Sequence, residues 1–202
     1  MPYFMTMNST RQPIIQRDDF WDDSWGDIVD KLVVPVDRGQ KVGAKYFPLG
    51  GLLEEKVKVI PNLFSIEFWY CTELIKNTIE QLESGWHGFH PFSLRNPYED
   101  NEITQLYIIN IVGWIDAIDV ERSDNLVTRT FPSGKEITRV SPLHLSKDKR
   151  EIALHDDMIK CRHLWVSPKA DGPGKAFVSD ELHDKIKQCG KPHSHLDFYR
   201  TK

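Results

Sequence analysis

Three groups of side chains in this sequence have the types and spacing that chemistry requires. The first is acidic: in an extended strand Asp119 and Glu121 share a face, with Asp116 nearby, as a general acid and base or a hard-cation site would need. Arg122 and Ser123 stand beside them, so the cluster reads as a salt-bridged strand end. The second is histidine. His193 and His195 project from one face of a strand and could supply two metal ligands, and His87 lies close to His90. No carboxylate or cysteine at a familiar offset completes a set, and no His-Glu-x-x-His sequence occurs, so no metal is expected. The third is Cys161 with His163, a thiol beside a base. Catalytic pairs usually come from separate elements, so these neighbours on one expected strand read as a core cysteine and a structural histidine.

No Gly-x-Ser-x-Gly elbow, phosphate-cradling glycine loop or dinucleotide fingerprint is present, and Gly172-Pro173-Gly174-Lys175 lacks Walker-loop spacing. The expectation is a non-enzyme without cofactors. A different chemistry lies in the segment from Arg17 to Asp27, which joins dense acid to large aromatics. Tryptophan anchors amid charge suit a protein interface, and acidic groups accelerate association with a basic partner. A helix start with acids at its positive end and tryptophans turned inward fits equally well. Asp18, Asp19, Trp21, Asp22, Asp23 and Trp25 are therefore the candidate partner-binding residues.

Composition narrows the setting. A chain of 202 residues that is 40% hydrophobic can bury one good core, so a single domain over 1–202 is expected. The net charge of -4 and pI near 6.1 argue against nucleic acid, whose binding domains usually exceed a pI of about 9. Three cysteines at distant positions fit a reducing compartment, and the N-terminus lacks a secretory pattern, so a cytoplasmic protein is expected. The longest apolar run is interrupted by Asn110, Asp116 and Asp119 and is too short to cross a bilayer.

The elements that must position these residues follow from periodicity. Residues 1–51 read as an irregular part in which Leu32-Val33-Val34 and Lys45-Tyr46-Phe47 form short edge strands flanked by proline, and Gly50-Gly51 makes a closing turn. Glu55 to Ile60 alternates like a strand with one wet face. Two similar strand-helix-strand units follow. In the first, Trp69-Tyr70-Cys71 leads through the N-cap Thr72 to a stripe of Leu74, Ile75, Ile79 and Leu82, ended by Gly85, before the aromatic segment from Trp86 to Phe89. In the second, Ala176-Phe177-Val178 leads through Ser179 to Leu182, Ile186 and Cys189, stopped by Gly190 and Pro192, before a strand at Leu196-Asp197-Phe198-Tyr199. Between them, Leu126 to Phe131 and Glu136 to Val140 flank the turn Pro132-Ser133-Gly134 as a hairpin with a polar face, and His163 to Val166 reads as a buried strand. The near-continuous apolar run from Leu106 reads as a buried central strand with a charged exit. The fold class is α+β, a mixed or antiparallel sheet with a few short helices.

The stretch Leu-Tyr-Ile-Ile-Asn-Ile-Val-Gly-Trp-Ile-Asp-Ala-Ile-Asp-Val-Glu-Arg-Ser, from Leu106 to Ser123, resembles the central signature of bacterial immunity protein family eleven of polymorphic toxin systems. There a strand ending in asparagine leads to an Asp-Ala-aliphatic-Asp segment and a serine. Ala176 to Leu182 resembles the start of that family's last helix and Trp69 to Leu82 the earlier one, with 52–202 as the family-like core. Lys191-Pro192-His193-Ser194-His195 departs from the family's glycine-bearing turn. The resemblance implies a cytoplasmic antidote that binds a cognate toxin, delivered by contact or by type VI secretion, and blocks it without turnover. It brings no catalytic residues. The competing readings are a metal-dependent or carboxylate-based hydrolase and a secretion-associated adaptor.

Overall fold

The computed structural model describes residues 1–7, 15–17, 29–124, 126–141, 145–146, 149–170, 174–190 and 196–202. Two sheets organise them. The larger has six strands in the order β2 (Ile15–Arg17), β3 (Gly50–Leu53), β6 (Gly88–Asn96), β7 (Glu102–Asn110), β5 (Trp69–Cys71) and β4 (Leu63–Ser65). All its pairs are antiparallel except β3 with β6. The smaller is antiparallel, in the order β12 (Leu164–Trp165), β13 (Lys175–Val178), β1 (Tyr3–Met7) and β14 (Leu196–Arg200). The mixed α+β class expected from the pattern is the one observed.

The two strand-helix-strand units are present and share a topology. In the first, β5 and β6 flank β7 and both run antiparallel to it, so they are parallel to each other and joined by helix α2 (Glu73–Leu82). In the second, β13 and β14 flank β1 in the same way and are joined by helix α3 (Asp180–Gln188). Each is a split β-α-β unit: a parallel pair needs a crossover, and the helix supplies it while a third strand fills the gap. In the second unit that third strand is β1, from the start of the chain, which the sequence pattern did not reveal.

Packing explains the apolar runs. Ile75 and Ile79 of α2, Leu182 and Ile186 of α3, Met5, Ile109, Leu164 and Val178 share one core, so the helices and both sheets meet there. On the far face of the large sheet, Leu106, Ile108, Tyr70 and Phe92 pack against Leu32, Val36, Val42 and Phe47. On the far face of the small sheet, Phe4, Phe177 and Trp165 pack against Ile118, Ile152 and Leu154. Strand β7 is interior and covered on both faces, which is why Leu106 to Ile109 is apolar at every position rather than alternating.

Four local expectations are corrected. Leu32-Val33-Val34 is helical, not a strand: a π-helical turn Val29–Val33 runs into α1 (Val34–Asp37), placing Leu32 and Val36 four apart on the buried side. Pro35 sits in the first turn of α1, where its missing N–H costs nothing. Lys45-Tyr46-Phe47 is not a strand either, because Ala44–Tyr46 is a 3-10 turn that delivers Phe47 onto Phe68 and His90. Gly50-Gly51 belongs to β3, paired on both sides, and Glu55 to Ile60 is bent rather than extended. Alternation marks which residues could face a core, but a strand also needs a neighbouring ladder, and that lies elsewhere in the sequence.

The expected hairpin forms as β9 (Leu126–Thr130) and β10 (Glu136–Val140), with Gly134 at φ 77° in its turn. It makes a two-stranded sheet of its own, held at its base by Leu126 and Val140 in the third core. Strands β8 (Ile118–Asp119) and β11 (Ala153–Leu154) form another small pair.

Candidate interaction site

The six candidate partner-binding residues, Asp18, Asp19, Trp21, Asp22, Asp23 and Trp25, lie outside the described residues. The chain on either side is fixed. Before them β2 forms an outer strand of the large sheet, with Ile15 opposite Leu53 and Arg17 opposite Gly51. After them Leu32, only 1% exposed, is anchored in the core beneath that sheet.

The carboxylate cluster is taken up by the fold. Asp119 accepts hydrogen bonds from the backbone N–H groups of Glu121 and Arg122, both at 3.1 Å, and from Arg122 Nε. The Arg122 side chain beside it holds the Asp119 carboxyl below the usual carboxylate range. Arg122 also donates to Leu154 O at 3.1 Å, and Ser123 Oγ accepts from Ala153 N at 2.9 Å, so this turn clasps β8 to β11. Asp116 is paired with Lys169. The salt-bridged reading of the strand end is the one observed for Asp119.

Among the described residues the histidines do not converge. His90 stacks on Phe47 with ring centroids 3.7 Å apart, and burial holds its pKa down. His163 Nδ1 meets Ser179 Oγ at 2.8 Å, a structural contact between the residue before β12 and the N-cap of α3. Cys161, expected in the core on a shared strand with His163, is instead exposed in a turn at φ 62°, because β12 begins only at Leu164. His193 and His195 lie outside the described residues. Among the described residues no three His, Cys, Asp or Glu side chains are grouped to hold a metal ion.

Two polar clusters escaped the sequence reading. Asn110, fully buried at the end of β7, donates from Nδ2 to Gln40 O at 2.9 Å and accepts from Val42 N at 2.8 Å, so its side-chain amide pairs with the 40–42 backbone as another strand would. In the second, Glu83 at the end of α2 accepts from Leu164 N at 2.9 Å and lies 2.9 Å from His87 Nε2, while His87 Nδ1 accepts from Val112 N at 3.1 Å. Because Nδ1 accepts, the ring proton sits on Nε2 and points at the carboxylate. Burial opposes ionisation of Glu83, but the hydrogen bonds from His87 and from the His163 and Leu164 backbone outweigh it and hold its pKa below the ordinary value. The Glu-x-x-x-His spacing was the available signal, since residues four apart meet at a helix end. Both clusters are structural.

Among the described residues, no helix is long and apolar enough to cross a membrane. A family model described as "Immunity protein family (Imm11)" matches residues 52–201. No curated protein matches the chain.

Proposed function

The chain belongs to the Imm11 immunity protein family, and from that membership we propose that it neutralises a cognate antibacterial toxin by forming a stoichiometric protein complex in the cytoplasm, without turnover. The match over residues 52–201 carries this reading, since it spans both split β-α-β crossovers and the strands between them. The chemistry of the described residues supports it. The carboxylates nearest to an acid-base arrangement are tied to Arg122 and Lys169, and the buried glutamate and histidine hold the backbone rather than face a cleft.

The toxin belongs to a contact-dependent or type VI secreted system. The segment holding Trp21 and Trp25 is the proposed contact, with Asp18, Asp19, Asp22 and Asp23 steering a basic surface towards it. Effective protection needs a nanomolar Kd, about -12 kcal/mol, so a few buried anchors must dominate the complex.

Coexpression with the toxin encoded beside this chain's gene tests the role. Rescue of growth together with a one-to-one complex on size-exclusion chromatography is expected. Rescue without any complex would point to an enzyme acting on the toxin or its product, and a complex without rescue to an adaptor.

A further inference from the structure

The fold places two exposed tryptophans on neighbouring backbone segments. Trp86, in the turn after α2, is 42% exposed, and Trp114, four residues beyond β7, is 40% exposed. Trp86 is held from two sides: its indole N–H donates to Val112 O at 2.8 Å, and the Arg162 guanidinium lies over its ring, 3.8 Å from the centroid. The backbone around Trp114 is fixed as well, because Val166 N donates to Gly113 O and Ile115 N to Val166 O, both at 3.0 Å. Gly113, at φ 138°, brings the two together. A Cβ there would stand 3.9 Å from the Trp86 indole nitrogen, so the indole rests against the residue that precedes Trp114.

The charge beside them is positive. Arg162 is half-buried, and stacking on Trp86 occupies the face of its guanidinium while the in-plane N–H groups stay able to donate. Among the described residues it makes no ion pair. The exposed Arg38, likewise without an ion pair among the described residues, precedes Gly39, whose carbonyl accepts from Gly113 N at 3.1 Å. A second cation thus adjoins the same backbone. The acidic residues nearest in sequence to the tryptophans are already engaged, Glu83 with His87 and Asp116 with Lys169.

We propose that Trp86, Trp114 and Arg162 form a second docking surface for the toxin, which takes a segment carrying a carboxylate beside an apolar side chain. The inference rests on the immunity reading. Charge complementarity selects the carboxylate: a guanidinium already ordered by stacking can hold it through two N–H bonds and loses little further freedom in doing so. Scattered exposed apolar side chains are ordinary, but tryptophan and arginine are the types that dominate interface energies, and here the fold has immobilised Trp86 before any partner arrives. All three residues lie within the matched region 52–201, whereas Trp21 and Trp25 lie outside it. The two surfaces are opposite in charge and suit different patches of one partner.

The experiment titrates the full chain with the toxin encoded beside its gene, using calorimetry at low and high salt. Trp114→Ala and Arg162→Glu are each expected to weaken binding at least about tenfold, as loss of an interface anchor does, and Arg162→Glu to reduce the salt dependence. Val59→Ala, which removes an exposed apolar side chain elsewhere, should bind as the native chain does. Thermal melts check that the variants fold, and Arg162→Glu, whose native side chain makes only the stacking contact, decides the question should Trp114→Ala melt early. Native-like binding by folded Arg162→Glu, or by folded Trp114→Ala, overturns the docking surface while leaving the immunity role standing. Failure of the native chain to bind the toxin overturns the immunity reading and this inference with it. Self-association that Trp114→Ala abolishes would assign the surface to a second copy of the chain, and a single-stranded oligonucleotide whose binding Trp114→Ala abolishes would assign it to base stacking; either result overturns the proposal.

Discussion

Glu83 and His87 form a buried hydrogen-bonded pair, Oε2 to Nε2 at 2.9 Å, that joins three parts of the fold. The carboxylate also receives the Leu164 amide of β12 in the small sheet, and the imidazole receives the Val112 amide beyond the end of β7 in the large one. The turn after α2 thus bonds to backbone from both sheets, at the edge of the core they share.

Removing that carboxylate leaves a buried amide and an imidazole proton without acceptors. Glu83→Ala is expected to cost on the order of 3 kcal/mol in urea denaturation, because buried hydrogen bonds to an ionised carboxylate are lost together. The pH dependence has a definite sign. Because the folded pKa of Glu83 is depressed, its stabilisation is fully present above the ordinary value of 4.5 and is lost as the pH falls through the folded value. Melting temperature should therefore fall with acidification below about pH 4.5, and Glu83→Gln should flatten that fall. An identical acid profile for the Gln variant would show that the carboxylate is not held ionised by the fold.

Asn110 makes a similar connection without charge. Asn110→Ala is expected to destabilise by about 2 kcal/mol, since a buried N–H and a buried carbonyl each lose a partner. Hydrogen exchange at the Val42 amide is the direct readout: exchange should accelerate in the variant, and unchanged protection would show that the 40–42 segment is held by other contacts.

The two helix starts, read alike in the sequence, should respond differently. Ser179 Oγ accepts from Leu182 N at 3.1 Å, whereas Thr72 makes no capping bond and its hydroxyl faces Asn62 Oδ1 at 3.4 Å. Ser179→Ala should cost about 1 kcal/mol and Thr72→Ala distinctly less, measured by chemical denaturation. Equal losses would mean that the cap bond contributes nothing.

Asp119→Asn separates a clasp from a catalytic group. The variant should melt at lower temperature, because the Arg122 ion pair that closes the β8–β11 turn is weakened, while protection against the toxin persists whenever the protein is folded. Loss of protection with an unaltered melt would assign Asp119 to chemistry or to the interface.

Replacing Trp21 and Trp25 together with alanine should weaken the toxin complex at least about a hundredfold, the effect of losing two anchors, with little change in the melt. If instead the tryptophans turn inward from a helix start, the same variant loses stability and binds normally once folded.

The units β5-α2-β6 and β13-α3-β14 were legible in the sequence because their signals are local. Apolar spacing at Ile75 and Ile79, and again at Leu182 and Ile186, fits one face of a helix, and Gly85 and Gly190 take φ of 67° and 85° just beyond the helix ends. The covered strand at Leu106 to Ile109 was legible for the same reason. The errors fell where the partner was distant. Leu32-Val33-Val34 has strand-like composition and became helical, and Gly50-Gly51 has turn composition and became a strand between β2 and β6.

The class of fold, the two crossover units, the hairpin and the family resemblance are all written in residue spacing over short stretches. Packing alone brings β1 into the second unit, Asn110 onto the 40–42 backbone, Glu83 between His87 and β12, and Arg162 onto Trp86. The physical reason is common to all four. Each depends on a backbone or side-chain partner brought in from another part of the chain by packing, and spacing along the sequence carries no record of which distant group will stand opposite.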